Sequence, residues 1–249
     1  MVSLIAATPQ EGAPHITLRF RYEKNGALAY ISHLDVLRTF TKALLRAGLP
    51  LAYSEGFSPH PKLTFAAPLP VGQESVCEYL DVRLAEPFPP CEAMAALNAT
   101  LPQGLHITKA GYPAAKFTLV DRALYLITVR TAGADAALAD RLVSLLSQKP
   151  LLVFKRSKAG DRDVDVSPAI LSVSGEYRDG AIRLLVTLRA EAGAFLNTDY
   201  LLSHLRREAG ILSTDPLRES ATVTRLSLAD AEGNTITEEG DDEIPHPAL

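Results

Sequence analysis

The chain has 249 residues, 47% hydrophobic and 22% charged, which is ordinary for a globular protein of one large or two small domains. No apolar run is long enough to span a bilayer, and the first ten residues carry no basic residue ahead of their apolar stretch, so neither a membrane anchor nor a secretory signal is expected. Two cysteines, Cys77 and Cys91, cannot build a disulfide framework, a zinc ribbon or an iron–sulfur cluster, which predicts reduced thiols and a cytoplasmic location.

Residues 15–24 alternate, with Ile16, Leu18, Phe20 and Tyr22 on one side and Thr17, Arg19, Arg21 and Glu23 on the other. That pattern predicts a half-buried strand, closed by the turn signal Asn25-Gly26. Ser32, with Asp35 three residues on, predicts a capped helix running to about residue 47, and Gly48 suits its end. Its apolar stripe is Leu34, Leu37, Thr41, Leu44 and Leu45. Arg38, Lys42 and Arg46 recur every four residues on the other side. Residues 51–53 and 63–67 read as strands around a proline-stiffened loop, and residues 74–84 as a longer strand. A short helix over 90–99 and a strand over 105–110 follow.

A similar order then repeats. Residues 123–130 form a strand, 134–147 a helix and 151–155 a strand. A hairpin joins 169–175 to 181–189 across Tyr177-Arg-Asp-Gly180. Asn197 caps a helix that ends near Gly210, and residues 221–228 close as a strand. Two βαββαβ series predict an α+β protein of two tandem ferredoxin-like units, at residues 14–112 and 122–229. Residues 230–249 carry seven carboxylates, no Lys or Arg, and almost nothing to bury, which predicts a disordered acidic tail. Without those seven charges the net charge of −4 becomes +3 for residues 1–229.

Several groups in this frame could carry chemistry. His33 opens the first helix, where the peptide dipole favours an anion; it is an anion or RNA contact, or simply an exposed first-turn residue. Asp35 reads as the cap partner. In the loop 53–62, Tyr53, Ser54, His60 and Lys62 are held between prolines. A histidine beside a lysine and a tyrosine has the parts for metal-free RNA cleavage, with a general base and stabilisers for the phosphorane, though a rigid structural turn accounts for the same residues. His33, His60 and Tyr53 are therefore the catalytic candidates. Arg38, Lys42 and Arg46, joined by Arg19 and Arg21 if the faces converge, would form a basic surface for phosphates; a solvated helix face is the plainer reading. Lys155, Arg156 and Lys158 lie in a second basic loop. Aromatics are 6% with no Trp, which speaks against base readout by stacking on an open sheet. No metal-ligand spacing occurs, and no cofactor is expected.

Six segments also carry a resemblance. They are Phe20-Arg-Tyr-Glu-Lys24, Tyr30-Ile-Ser-His-Leu-Asp35, Arg46-Ala-Gly-Leu-Pro50, Tyr53-Ser-Glu-Gly-Phe57, Pro59-His-Pro-Lys62 and Pro68-Leu-Pro-Val-Gly72. Through them the chain resembles an uncharacterised bacterial family linked to radical S-adenosylmethionine proteins, densely over residues 16–85 and more weakly into Asp163-Val-Asp-Val-Ser-Pro168. The resemblance implies a radical S-adenosylmethionine partner and an RNA-side role; the cluster cysteines would belong to the partner. More loosely, the layout is similar to the tandem ferredoxin-like CRISPR repeat endoribonucleases. The expected function is an RNA- or ribonucleoprotein-binding accessory to the radical enzyme. The alternatives are a metal-independent endoribonuclease and a protein–protein adaptor without nucleic-acid contact. A basic cleft holding His33 and His60 together would favour RNA. Their separation, with exposed apolar patches, would favour the adaptor.

Overall fold

The alternation of residues 15–24 becomes strand β1 (Ile16–Lys24), and the cap at Ser32 starts helix α1 (His33–Arg46). The Ser32 hydroxyl oxygen accepts from the Asp35 N–H at 3.2 Å and donates to the Asp35 carboxylate at 2.6 Å, so the short capping pair satisfies a free helix donor. The chain continues through β2 (Leu63–Phe65), β3 (Glu74–Leu84), α2 (Pro90–Asn98) and β4 (Leu105–Gly111). The second series is β5 (Arg122–Arg130), α3 (Ala136–Leu146), β6 (Leu152–Lys155), β7 (Arg162–Asp165), β8 (Ile170–Arg178), β9 (Ala181–Arg189), α4 (Asp199–Ala209) and β10 (Ser220–Ala229). This computed structural model describes residues 16–155, 160–191, 195–212 and 219–236.

The architecture is α+β: four helices on a central, mostly antiparallel sheet. Its strand order is β4-β1-β3-β10-β5-β9-β8, with β2 also paired to β3. Separate sheets for the two halves were expected; instead one eight-stranded sheet runs through both. The join is a parallel pairing of β10 with β3, where Thr224 faces Glu74 and Arg225 faces Ser75. Counting only the strands of this sheet, and leaving out the separate β6–β7 pair, the spatial order within each half is the same: fourth strand, first, third, second.

Two cores lie on opposite faces of β3. Leu80, Val82 and Leu84 pack with Leu18 and Phe20 of β1, Phe40 and Leu44 of α1, and Leu97 of α2. Cys77 and Tyr79, which alternate with them and so point the other way, join Tyr125 and Ile127 of β5, Leu142 of α3 and Leu205 of α4. Helix α3 closes tightly on the β8–β9 hairpin because Gly175 has no side chain; a Cβ there would meet Leu184 at 2.6 Å and Val143 at 2.9 Å. The hairpin turns at Asp179 and Gly180, both at positive φ (52° and 75°), the twist that two-residue hairpins favour.

Four further expectations are corrected. Residues 51–53 make only isolated bridges, Leu51 to Leu84 and Tyr53 to Pro61. The second basic loop begins within a hairpin, since β7 pairs back on β6 and sets Lys155 opposite Arg162. The stretch 113–121, the linker between the two expected units, is packed: its Phe117 covers the Arg19 guanidinium with 4.0 Å to the ring centre. Residues 230–236, placed in a disordered tail, are ordered, with Asn234 N–H bonded to Asp230 at 2.8 Å, Thr235 bridged to Ala229, and Ile236 buried in the core. The rest of that tail, residues 237–249, lies outside the described residues. Among the described residues no helix is long and apolar enough to cross a membrane.

Candidate functional site

The loop 53–62 hangs from the end of β3. Ala52 N–H bonds the Arg83 carbonyl, Lys62 N–H bonds the Ala52 carbonyl, and Arg83 N–H bonds the Lys62 carbonyl, at 2.9, 2.9 and 3.1 Å. Above that base, Ser54 and His60 close the loop on themselves. Ser54 N–H donates to the His60 carbonyl at 2.8 Å, His60 N–H to the Ser54 hydroxyl at 3.1 Å, and that hydroxyl lies 2.9 Å from His60 Nδ1. Tyr53, Ser54, His60 and Lys62 thus share one hydrogen-bonded frame. Its effect is to project Phe57, at the tip, into full solvent exposure.

His33 stands in a different neighbourhood. Its ring meets Phe65 edge-on, with centroids 5.0 Å apart. Phe65 is three extended residues from Lys62, a rise of roughly 10 Å. No hydrogen bond, ion pair or ring contact joins His33 to His60 among the described residues. His33 instead borders a cavity of about 10 Å³ with Tyr22, Lys24, Phe65 and Glu78, room for one water. His33 is exposed overall, but partial burial of its ring against these groups holds its pKa below the ordinary histidine value; Glu78 opposes the shift and Lys24 adds to it.

Behind that cavity lies a buried charge cluster that reading by residue type missed. Arg225 of β10 and Glu78 of β3 are both buried, and Arg225 Nε donates to the Glu78 carboxylate at 2.9 Å. Arg225 also reaches the Ala67 carbonyl at 2.6 Å. Burial is the largest influence and works against the Arg225 charge, but Glu78, Tyr125 and Cys77 together outweigh it and keep the guanidinium ionised. Lys24, also buried, donates to the Ala29 carbonyl at 3.2 Å; burial lowers its pKa while Glu78 supports its charge. Burial pushes the Cys77 thiol up to about 12, so it is no nucleophile. Only the alternation of β3, which sets Glu78 among core positions, could have signalled this cluster.

The expected basic surface does not assemble around Arg19 and Arg21. Both are buried on the sheet face opposite α1. Arg19 is held by both oxygens of Asp81, at 2.7 and 2.8 Å, and Arg21 by the Val76 carbonyl at 3.3 Å. Their charges are spent inside the molecule. Arg38, Lys42 and Arg46 remain exposed on α1; Arg38 pairs with Asp35 at 3.3 Å and Arg46 with the Thr100 carbonyl at 3.1 Å. Lys155 is exposed at the end of β6, while Arg156 and Lys158 lie outside the described residues. Among the described residues no group of three or more His, Cys, Asp or Glu side chains could hold a metal.

Sequence reading also missed a groove of about 180 Å³ between β6 and α4, lined by Phe154, Asp199, Tyr200, Ser203, His204 and Arg207, with Val153 at its base. The spacing 199, 200, 203, 204, 207 is one helix face, which was legible as a helix but not as a site.

Exposed apolar side chains are the other surface feature of the first half. Tyr30, Leu34 and Val71 are each more than half exposed, and the Gly72 N–H to Ala29 carbonyl bond of 2.8 Å brings the Val71 turn beside Tyr30.

Residues 17–197 match the family described as an uncharacterised protein conserved in bacteria (DUF2344), and the chain belongs to that family. No curated protein is similar to it. Twenty-eight chains of solved structures match. One is from the crystal structure of a Cbf5-Nop10-Gar1 complex, 12% identical over 92% of this chain and 55% of that one, with a TM-score of 0.44. This chain thus spans about half of that chain's length.

Proposed function

We propose that this member of the bacterial family is a docking adaptor, built from two ferredoxin-like units, that presents its first half to a protein partner. The strand order repeated in each half supports the ferredoxin-like reading. The partner class is the one the resemblance implies, a radical S-adenosylmethionine protein.

The observation that carries this reading is Phe57. It is wholly exposed, yet it sits on a loop fixed by hydrogen bonds at its base and across its middle. A flexible loop could fold an aromatic inward. This one holds it outward, and exposed aromatics on ordered surfaces are the usual anchors of protein interfaces. Preorganisation lowers the entropic cost of docking. His60 does not line the cavity that His33 borders, and Tyr30, Leu34 and Val71 give the same half a second apolar neighbourhood. The endoribonuclease reading draws no support from this geometry, because no hydrogen bond or ring contact joins His33 to His60 among the described residues.

A second reading has its own observation. The exposed Arg38, Lys42 and Arg46 would suit an RNA or ribonucleoprotein backbone. One experiment separates the two. The affinity of the full chain for the radical enzyme is measured by calorimetry, with Phe57→Ala and the pair Arg38→Ala, Lys42→Ala. Loss of about 2 kcal/mol for Phe57→Ala, at unchanged melting temperature, is expected. No loss with Phe57→Ala, together with RNA binding whose salt slope falls in the paired variant, would overturn the adaptor reading in favour of RNA.

A further inference from the structure

We propose that the groove between β6 and α4 binds a nucleoside monophosphate group, free or as one residue of a single strand, with its phosphate at Arg207 and its base against Phe154. The groove belongs to the second half and is independent of the Phe57 loop.

Its lining is chemically mixed in a way that narrows the ligand. Phe154 is half exposed at one wall and offers an aromatic face. Arg207 supplies the cation at the far end of the helix stripe. Its Nε is tied to Glu208 at 2.7 Å, and its Nη2 lies 3.4 Å from both the Leu152 carbonyl and His204 Nδ1. Nη1 is left without a partner among the described residues. Asp199, at the start of the stripe, is exposed and can accept from a base edge or a sugar hydroxyl. Ser203 lies between the two, its hydroxyl unbonded among the described residues.

His204 is the positioning residue. It is 5% exposed, and an arginine can only donate, so Nδ1 must accept from Arg207 and the ring proton must sit on Nε2. Burial, with the neighbouring Arg207 charge, keeps this imidazole below its ordinary pKa, against the pull of Glu208 and the Leu145 carbonyl. A neutral His204 therefore holds the guanidinium without competing with it for an anion.

The dimensions exclude simpler ligands. Asp199 and Arg207 are eight residues apart on one helix, roughly 12 Å of rise. A free amino acid carries its amine and carboxylate on one carbon and cannot reach both. A nucleoside phosphate carries its charge and its base edge at opposite ends. A divalent cation would find one carboxylate here and no cluster of ligands. An acidic peptide would meet Asp199 as a like charge. Beyond the groove, the exposed Lys155 directly follows Phe154 at the end of β6 and stands opposite Arg162 in the ladder, so a longer strand would meet further cations.

The test uses the full chain, with adenosine monophosphate, adenosine, inorganic phosphate and a short single-stranded oligoadenylate titrated by calorimetry. The monophosphate is expected to bind more tightly than adenosine or phosphate alone. Phe154→Ala and Arg207→Gln are each expected to weaken it about tenfold, the scale of one stacked base or one charged contact. His204→Phe should weaken it less. An oligoadenylate tighter than the monophosphate, with a steeper salt dependence, assigns the groove to a strand; equal affinities assign it to the free nucleotide. No saturable binding of either probe at millimolar concentration overturns the proposal. So does binding unchanged in both variants. Docking through Phe57 should be untouched by Phe154→Ala, so failure here and failure of the adaptor reading are separable.

Discussion

Glu78 lies near two buried cations, and among the described residues it is the one carboxylate bonded to Arg225. Lys24 depends on its field as well, since the only hydrogen bond of that ammonium among the described residues is to the Ala29 carbonyl. Removing the carboxylate charge would leave two desolvated cations with no counter-charge. Glu78→Gln is accordingly expected to cost about 3–5 kcal/mol in urea unfolding, far more than a surface glutamate. The double variant Glu78→Met, Arg225→Met removes the charge from both sides of the pair and should be more stable than Glu78→Gln. If it is less stable, the pair itself contributes net stability and the desolvation argument is wrong. None of this was legible from residue type. Arg19 and Arg21 read as part of a basic surface, the polar side of β1 read as solvent-facing, and Arg225 carried no signal of its own. What buries that side is Phe117 and the second core, contributed by residues distant in sequence, and alternation within one strand carries no information about a distant cover.

At the scale of elements, local chemistry was read well and distant chemistry was not. The Ser32–Asp35 cap, the Asp179-Gly180 hairpin and the αL end of α4 at Gly210 each rest on residues within a few positions of one another. The β6–β7 hairpin was only half seen, because Arg162-Asp-Val-Asp165 carries three charges in four residues and has no apolar alternation. The loop 53–62 was legible as stiff, but the prolines received the credit. Ser54 does as much, since its hydroxyl accepts the His60 N–H and meets His60 Nδ1. Ser54→Ala is expected to cost about 0.5–1.5 kcal/mol. Its clearer signature is faster amide exchange at His60 and faster proteolytic cleavage beside Phe57. Unchanged exchange at His60 would mean that Pro59 and Pro61 alone hold the loop. If Phe57 is a docking anchor, the same substitution should weaken docking without touching the anchor itself.

At the scale of the whole molecule, the repeated element order predicted two separable units, and the structure joins them. The parallel β10–β3 contact is short, yet three further links cross the same boundary. Cys77 and Tyr79 of the first half are core residues of the second. The Arg225–Glu78 pair spans it, and the Gln73 amide donates to Thr198 at 2.8 Å. A first half cut free would expose the Tyr79 face of β3, strand Glu78 of its guanidinium and lose the cover over Arg19 that Phe117 provides. Residues 16–112 expressed alone are therefore expected not to fold, and the full chain to unfold in one transition with matching calorimetric and van't Hoff enthalpies. Two resolved transitions, or a cooperative isolated first half, would show that the shared core adds little. Ile236 belongs to the same account. It lies beyond the last strand and is 2% exposed, so truncation after residue 229 should lower the melting temperature, because burial of an isoleucine contributes about 1.5–3 kcal/mol. The carboxylate-rich composition that marked residues 230–249 as tail could not show this, because one apolar side chain in an acidic segment is invisible to composition and yet anchors the residues after β10 to the core.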